Sequence, residues 1–403
     1  MVDSTAPLHP SDATAVSRSR EMSGLSANLS FRVEKADSTS LASYEQFAAQ
    51  ATAGVPQQAL WVRSWIEATA TEAVIVTMLD QGQPVLALAL ETATMGSVRA
   101  GRYIGGSHAN ANFPAIRTGY KPDVAAMRQG LIRALAGAKP SVDALFLERQ
   151  IDVLDDTPNP LLELSSRQSA NIGLQVSLTN GFEGVLEKHN TKRRMKKHRY
   201  QIRKFDEAGG FRIITASTPE ETRRLLHAFF DLKTIWFKEQ GVNDVFAGEA
   251  THRFFETLFQ RALDEKHQPY FLEALEVGGQ LRAITGSSKD RGRVVCQFGS
   301  IANDELIQYS PGEFLTFHSI KKAIADGCTV YDYGIGDEPY KRMWCDEEVR
   351  YFDTVLGLTA KGRLLAGTRS IVTELKRQVK SRPALFGIVK LLRRQRAQLK
   401  ARS

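Results

Sequence analysis

Cysteine is scarce in this chain: three in 403 residues, Cys296, Cys328 and Cys345, without CxxC spacing. That argues against a disulfide framework or a thiolate zinc site and fits a reducing compartment. Cys345 has no histidine near it in sequence to activate it as a nucleophile. No apolar run approaches the roughly 20 residues that a membrane-spanning helix needs. The first thirty residues, rich in Ser, Ala and Thr, lack the apolar core of a secretion signal. They read as a disordered N-terminus (1–30), and the chain as cytoplasmic. GxxxxGKS/T, HExxH and GxSxG are all missing, and the eight histidines do not cluster. P-loop, metalloprotease and nucleophile-elbow chemistry are therefore not expected, nor is a metal. The run Gly101-Arg102-Tyr103-Ile104-Gly105-Gly106 lacks dinucleotide-binding spacing.

What is present is ordinary globular composition, 42% apolar and 24% charged, at a length that suits two domains of about 150 residues. The formal net charge of +8 is unevenly spread. Residues 361–403 hold 13 Lys+Arg and one acid, leaving 40 basic and 44 acidic residues elsewhere. A second basic run, His189 to Lys204, carries eight Lys+Arg and no acid. At helical spacing its Met195, Ile202 and Phe205 rest on a domain while the charges face water or line a cleft. Lys192, Arg193 and Lys196 are its candidate substrate contacts, guiding a phosphate-bearing ligand inward.

Helical periodicity runs through Tyr44–Ala68, with Trp61 and Trp65 one turn apart on one face. Strands follow at Ala73–Met78, Pro84–Leu90 and Val98–Gly105, then a helix at Val124–Ala136 and a strand at Ala144–Leu147. The order returns with helices at Pro219–Gln240 and His252–Asp264 and strands at Tyr270–Val277, Gln280–Ser287 and Arg293–Ser300. A helix Pro311–Asp326, a strand Thr329–Tyr333 and a strand pair within Val349–Leu358 complete it. Helices, antiparallel strands, a helix and a parallel strand, met twice, predict a duplicated α/β (α+β) domain. The predicted units are 31–180, 181–360 with its basic helix 189–204, and a tail, 361–403.

The chemistry concentrates between Gln308 and Trp344. Ser310 as N-cap, Pro311 at the first helical position and Glu313 three residues on from the cap read as a capping box, fed directly by a strand. Many helices begin this way with no ligand. Here Gly312 removes a side chain where a phosphate would approach, and the helix start favours an anion, so Gln308, Ser310, Pro311, Gly312 and Glu313 are the candidate cofactor site. After the next strand, Tyr331-Asp332-Tyr333-Gly334, come Asp337, Glu338, Tyr340 and Lys341. Asp332 faces opposite to Tyr331 and Tyr333. Transfer from a thioester needs a base for the acceptor and an acid for the thiolate. Asp332 or Glu338 suits the first role, Tyr333 or Tyr340 the second, and Lys341 a phosphate or acidic acceptor. Trp236 and Trp344 are further candidate acceptor contacts.

The Ser310-Pro311-Gly312 turn, the strand ending in Tyr331-Asp332-Tyr333-Gly334 and the run from Tyr340-Lys341 to Trp344 resemble the CelD/BcsL-like branch of GNAT acetyltransferases. That branch is related to the FemABX peptidyltransferases. The basic run and Gly209-Gly210 fit the same family. The resemblance spans about residues 35–360. It implies two tandem GNAT-like domains, each a mixed, mostly antiparallel sheet flanked by helices. It also implies acetyl-CoA or another acyl-CoA as donor, its pyrophosphate at the helix opened by Gly312, and a sugar, polysaccharide or envelope precursor as acceptor. The family's full QxxGxG/A loop is missing, only Gln308 and Gly312 falling near the expected places. A charged tRNA donor, as in the Fem relatives, therefore stays open, as does a non-catalytic scaffold of a membrane polysaccharide synthase. Thr118-Gly119-Tyr120 stands in the first copy where the second has Ser-Pro-Gly, so that copy is expected to be degenerate and to shape the acceptor cleft. The tail, 367–403, fits peripheral contact with an anionic membrane or a solubilising extension. Its charges have no interleaved aromatics, which ranks nucleic acid last and DNA out.

Overall fold

The computed structural model describes residues 29–188 and 190–369. The tail from 370 onward lies outside them, so most of the segment read as a membrane or solubility element is not described. The first half runs β1 (Leu29–Lys35), α1 (Ser38–Ala48), α2 (Ala59–Thr69), β2 (Ala73–Asp80), β3 (Gln83–Met95), β4 (Val98–Tyr103), α3 (Val124–Gly137), β5 (Ala144–Gln150) and β6 (Ser166–Ser177). Then α4 (Gly181–Glu187) and α5 (Thr191–Glu207) lead into the second half. It runs β7 (Phe211–Thr215), α6 (Pro219–Gln240), α7 (Glu249–Arg261), β8 (Tyr270–Val277), β9 (Gln280–Asp290), β10 (Arg293–Ile301), α8 (Pro311–Ala325), β11 (Val330–Ile335), α9 (Pro339–Arg342) and β12 (Glu347–Gly357). The duplicated order is plain.

Both halves share one 13-stranded sheet, in the order β1-β2-β3-β4-β5-β12-β6-β11-β10-β9-β8-β7, with Ala115–Ile116 paired to β3. Only β4 with β5 and β10 with β11 run parallel. The last strand of each half is exchanged: β12 pairs with β5 of the first half, and β6 with β11 of the second. The strand pair expected within Val349–Leu358 is thus a single strand, because its hydrogen bonds go to β5 and β6 rather than to a hairpin partner. The helix expected over Tyr44–Ala68 is two, α1 and α2, parted by a segment holding Gly54 and Pro56 that cannot sustain helical hydrogen bonding.

Period-2 patterning sorts the core. Val74, Val76 and Met78 of β2 face a layer containing Met127, Leu131 and Leu135 of α3. Ala73 and Ile75 face the opposite layer, where Trp61 and Trp65 of α2 meet Phe229 of α6 and Phe254, Phe255 and Phe259 of α7. That second layer runs across both halves. Under α5 and α8 lie Phe205, Phe314, Phe317 and Tyr331. Because both faces are covered, even β8, one strand in from the sheet edge, is buried throughout.

His108 sits in the shared layer, its ring 4.9 Å from Phe246 and 5.3 Å from Phe255. Burial in this aromatic setting pushes its imidazole down to about 4. The unfolded chain binds that proton near pH 6.5 and the folded chain does not, so stability is present above pH 6.5 and lost as pH falls toward 4. The span corresponds to about 3 kcal/mol. Urea unfolding between pH 7 and pH 4 should show a flatter decline in His108→Gln than in the parent; equal slopes would remove His108 from the acid response.

Candidate active site

β10 and β11 pair only where Arg293–Val295 meet Val330–Asp332, then part. Two local features open this wedge. On β10, the register against β9 skips Gln297, a bulge that bends the strand. On β11, the Asp332 Oδ1 accepts the Gly334 N–H at 2.7 Å, and Gly334 adopts φ +67°, so the strand turns away. The first half lacks the bulge, since β3 and β4 pair without a break.

α8 begins at the mouth of the wedge. It is fed by a short turn, Ile307–Tyr309, and not directly by a strand. The capping box does not form: Ser310 lies in the left-handed region, φ +57°, where its hydroxyl makes no bond to the first-turn amides. Its Oγ instead accepts from Lys197 Nζ at 3.3 Å, and the same ammonium pairs with Glu313. Pro311 carries no N–H, and that of Gly312 has no acceptor among the described residues. A side chain at Gly312 would meet the γ2 methyl of Ile301. Gln308 is exposed and donates to the Glu305 carbonyl at 3.0 Å.

α5 crosses this helix start. Its Gln201 amide donates to the carbonyls of Tyr309 (2.8 Å) and Ser310 (3.3 Å), and His198 stacks on Phe317 at 3.7 Å. Arg194 lies over the Trp344 ring at 4.2 Å. The inward residues are therefore Arg194, Lys197, His198 and Gln201, whereas Lys192, Arg193 and Lys196 are exposed on the outer side. The sequence held the signal. With buried Phe205 as the anchor, counting back by threes and fours reaches Gln201, His198 and Arg194.

The β11 candidates divide between the two faces of the sheet. Tyr333, 6% exposed, lies under α8; Thr316 lies near its phenol, yet no group reaches hydrogen-bond geometry with the hydroxyl. Asp332, 3% exposed, lines the other face, where Arg293 Nη1 approaches its Oδ2 at 3.5 Å and donates to Gln175 Oε1 at 2.7 Å. Burial raises the Asp332 carboxyl above the ordinary range, and Arg293 partly offsets this. Asp332 opens into a cavity of ≈ 290 Å³ between the halves, walled also by Gly54, Asp152, Asp155 and Arg291.

Lys341 is buried, donating to the Ile335 carbonyl at 2.7 Å and pairing with Glu338 at 3.0 Å, so it pins the turn after β11. Tyr340 is 54% exposed, its ring 6.5 Å from Tyr333. Trp344 is buried, and Trp236 on α6 is 45% exposed beside Lys233. Burial pushes the Cys296 thiol up to about 11 and raises that of Cys345 further, which disfavours either as a thiolate nucleophile. His318, near the rings of Phe314 and Phe317, is lowered by burial. No cluster of three or more His, Cys, Asp or Glu able to hold a metal occurs among the described residues, nor is any helix there long and apolar enough to cross a membrane.

Residues 192–342, which hold the wedge, α5 and α8, match the family model of the acetyltransferase (GNAT) domain. That stretch is thus similar to the acetyltransferase (GNAT) domain, and the fold is two α/β units of the same element order joined through one sheet. Among solved structures, FemX aligns at 12% identity with TM-score 0.53, over 80% of this chain and 97% of that one, a likeness of fold. L-PGS from Bacillus licheniformis aligns at 12% identity and TM-score 0.49, over 83% and 97% of the two chains. A tandem GNAT protein of clavulanic acid biosynthesis aligns at 12% and 0.46, over 82% and 99%. No curated protein sequence matches the chain.

Proposed function

We propose that this chain transfers an acyl group from acyl-CoA to an amine or hydroxyl of a sugar, polysaccharide or envelope precursor. The observation that carries this reading is the wedge between β10 and β11, with a helix start and the α5 cations at its mouth. Extended pantetheine fits between parted strands, and phosphates fit a helix N-terminus flanked by cations. The acceptor lies in the cavity between the halves and meets the thioester where the strands separate. Asp332 takes the proton as the acceptor's nitrogen or oxygen attacks the carbonyl carbon. The C–S bond then breaks, and Tyr340, at the exposed mouth, protonates the departing thiolate.

Calorimetric titration with acetyl-CoA tests this beside Gly312→Glu, which sets a carboxylate at the helix start. Micromolar binding is expected in the parent and a loss of roughly tenfold or more in the variant. No affinity of the parent for acetyl-CoA would sink the reading. One observation favours a second donor. The outer face of α5 presents Lys192, Arg193, Lys196, Arg199 and Arg203 to solvent. Charged tRNA binding that falls steeply with salt and depends on those residues would support a Fem-like aminoacyl transfer instead.

A further inference from the structure

We infer that Arg194 of α5 and Tyr333 of β11 together form a seat for one anionic oxygen inside the wedge, a phosphate or carboxylate oxygen of the donor. This deepens the donor reading and uses the same site.

Arg194 carries a permanent charge, and Nη1 of its guanidinium is shut off from solvent without a hydrogen-bond partner. Its clearest contact is the face of Trp344, at 4.2 Å. The acid that acts on it most, Glu313, is already paired with Lys197. The Tyr333 hydroxyl is more than nine-tenths buried and likewise unpartnered. Tyr333 lies within electrostatic reach of Arg194, yet the two do not bond to each other. Buried polar atoms without partners are uncommon in folded proteins, and two within electrostatic reach of each other point to one missing acceptor. An anionic oxygen accepts from both and neutralises the guanidinium, whereas a neutral carbonyl does only the first. Trp344 holds the guanidinium plane in place, so little side-chain freedom is lost on binding.

Inorganic pyrophosphate and succinyl-CoA, each titrated calorimetrically into the full chain, test the seat. Arg194→Met is expected to weaken binding by about 10- to 100-fold, and Tyr333→Phe by roughly 2- to 10-fold. Arg194→Lys, which keeps the charge and the stack on Trp344 but loses the fork, should fall between parent and Arg194→Met. Arg223→Met, removing an equal charge from an exposed position on α6, should change binding less than twofold or so. Thermal unfolding of each variant separates lost binding from lost folding. A loss shared by pyrophosphate, acetyl-CoA and succinyl-CoA assigns the oxygen to a donor phosphate. A loss confined to succinyl-CoA assigns it to a carboxylate on the acyl group. If acetyl-CoA fails to bind while pyrophosphate binding depends on Arg194, the CoA donor falls and the seat stands. Parent-like affinity of folded Arg194→Met and Tyr333→Phe for both probes, or no binding of either probe to the parent, overturns the inference.

Discussion

Asp332→Asn is expected to lower kcat/KM for acyl transfer by roughly 10²- to 10⁴-fold, the usual worth of a positioned general base. The substitution is a clean one. Asn retains an oxygen to accept the Gly334 N–H, now at 2.7 Å from Oδ1, so the turn that opens the wedge is kept while the basic carboxylate is lost. The pH profile adds a second reading. Burial raises the Asp332 carboxyl and Arg293 pulls it back, so the ascending limb of kcat/KM should lie above the ordinary carboxylate range. Activity is then lost as pH falls through that raised value, and Arg293→Met should move the limb higher still. Stability runs the opposite way. A carboxyl raised in the folded state favours folding below its unfolded pKa, and that contribution is lost as pH rises through the folded pKa. Above that raised value the ionised Asp332 therefore opposes folding, and there the Asn variant should melt no lower than the parent, a trade of stability for function. Unchanged turnover in the variant would move the base elsewhere, with Glu338 the next carboxylate.

Much of this architecture is legible wherever one periodicity dominates a segment. Trp61 and Trp65, one turn apart, mark the inner face of α2, and the alternation from Ala73 to Met78 separates the two layers that β2 touches. The basic run gives α5 for the same reason: Phe205 and Met195 repeat at helical spacing on the side that is packed. What stays hidden is decided by partners distant in sequence. β6 has a polar, non-alternating start, Ser166-Arg167-Gln168-Ser169, and becomes a strand because β11 and β12 flank it. The pairing of Gln175 with Glu347 joins residues with α5 and nearly all of the second half between them, and no local pattern encodes it. Local contacts at the site are hidden in the same way. Lys341 stands in a polar stretch, and the turn after β11 folds its ammonium onto the Ile335 carbonyl. Ser310 has the composition of an N-cap, but its left-handed backbone takes the hydroxyl away from the first-turn amides and toward Lys197. Arg194 falls on the packed side of α5 by helical count, but its partner there, Trp344, is distant in sequence.

Trp61→Ala should have the largest effect on stability, about 3–5 kcal/mol. The indole is 1% exposed; its ring centroid lies 4.9 Å from Phe254 and 6.2 Å from Tyr270, and its N–H donates to the Ile104 carbonyl at 3.4 Å. The fit extends to Gly105, where a Cβ would stand 2.9 Å from the indole nitrogen. Trp61 belongs to α2 of the first half, and its partners Phe254 and Tyr270 belong to α7 and β8 of the second. Removing it therefore cuts the layer that spans both halves. Because β6 and β12 are exchanged across the same boundary, neither half keeps a complete sheet once the other unfolds. The variant should thus melt in one cooperative transition at lower temperature, followed alike by far-UV dichroism and tryptophan fluorescence. Two separated transitions would show instead that each half folds around its own core. The cavity beside Asp332 has walls from both halves, Gly54 and Asp155 from one and Arg291 and Asp332 from the other, so this seam is what holds that cavity in shape. On the proposed reading, transfer to acceptor should accordingly fall in Trp61→Ala below its melting temperature, while affinity for acetyl-CoA stays close to that of the parent.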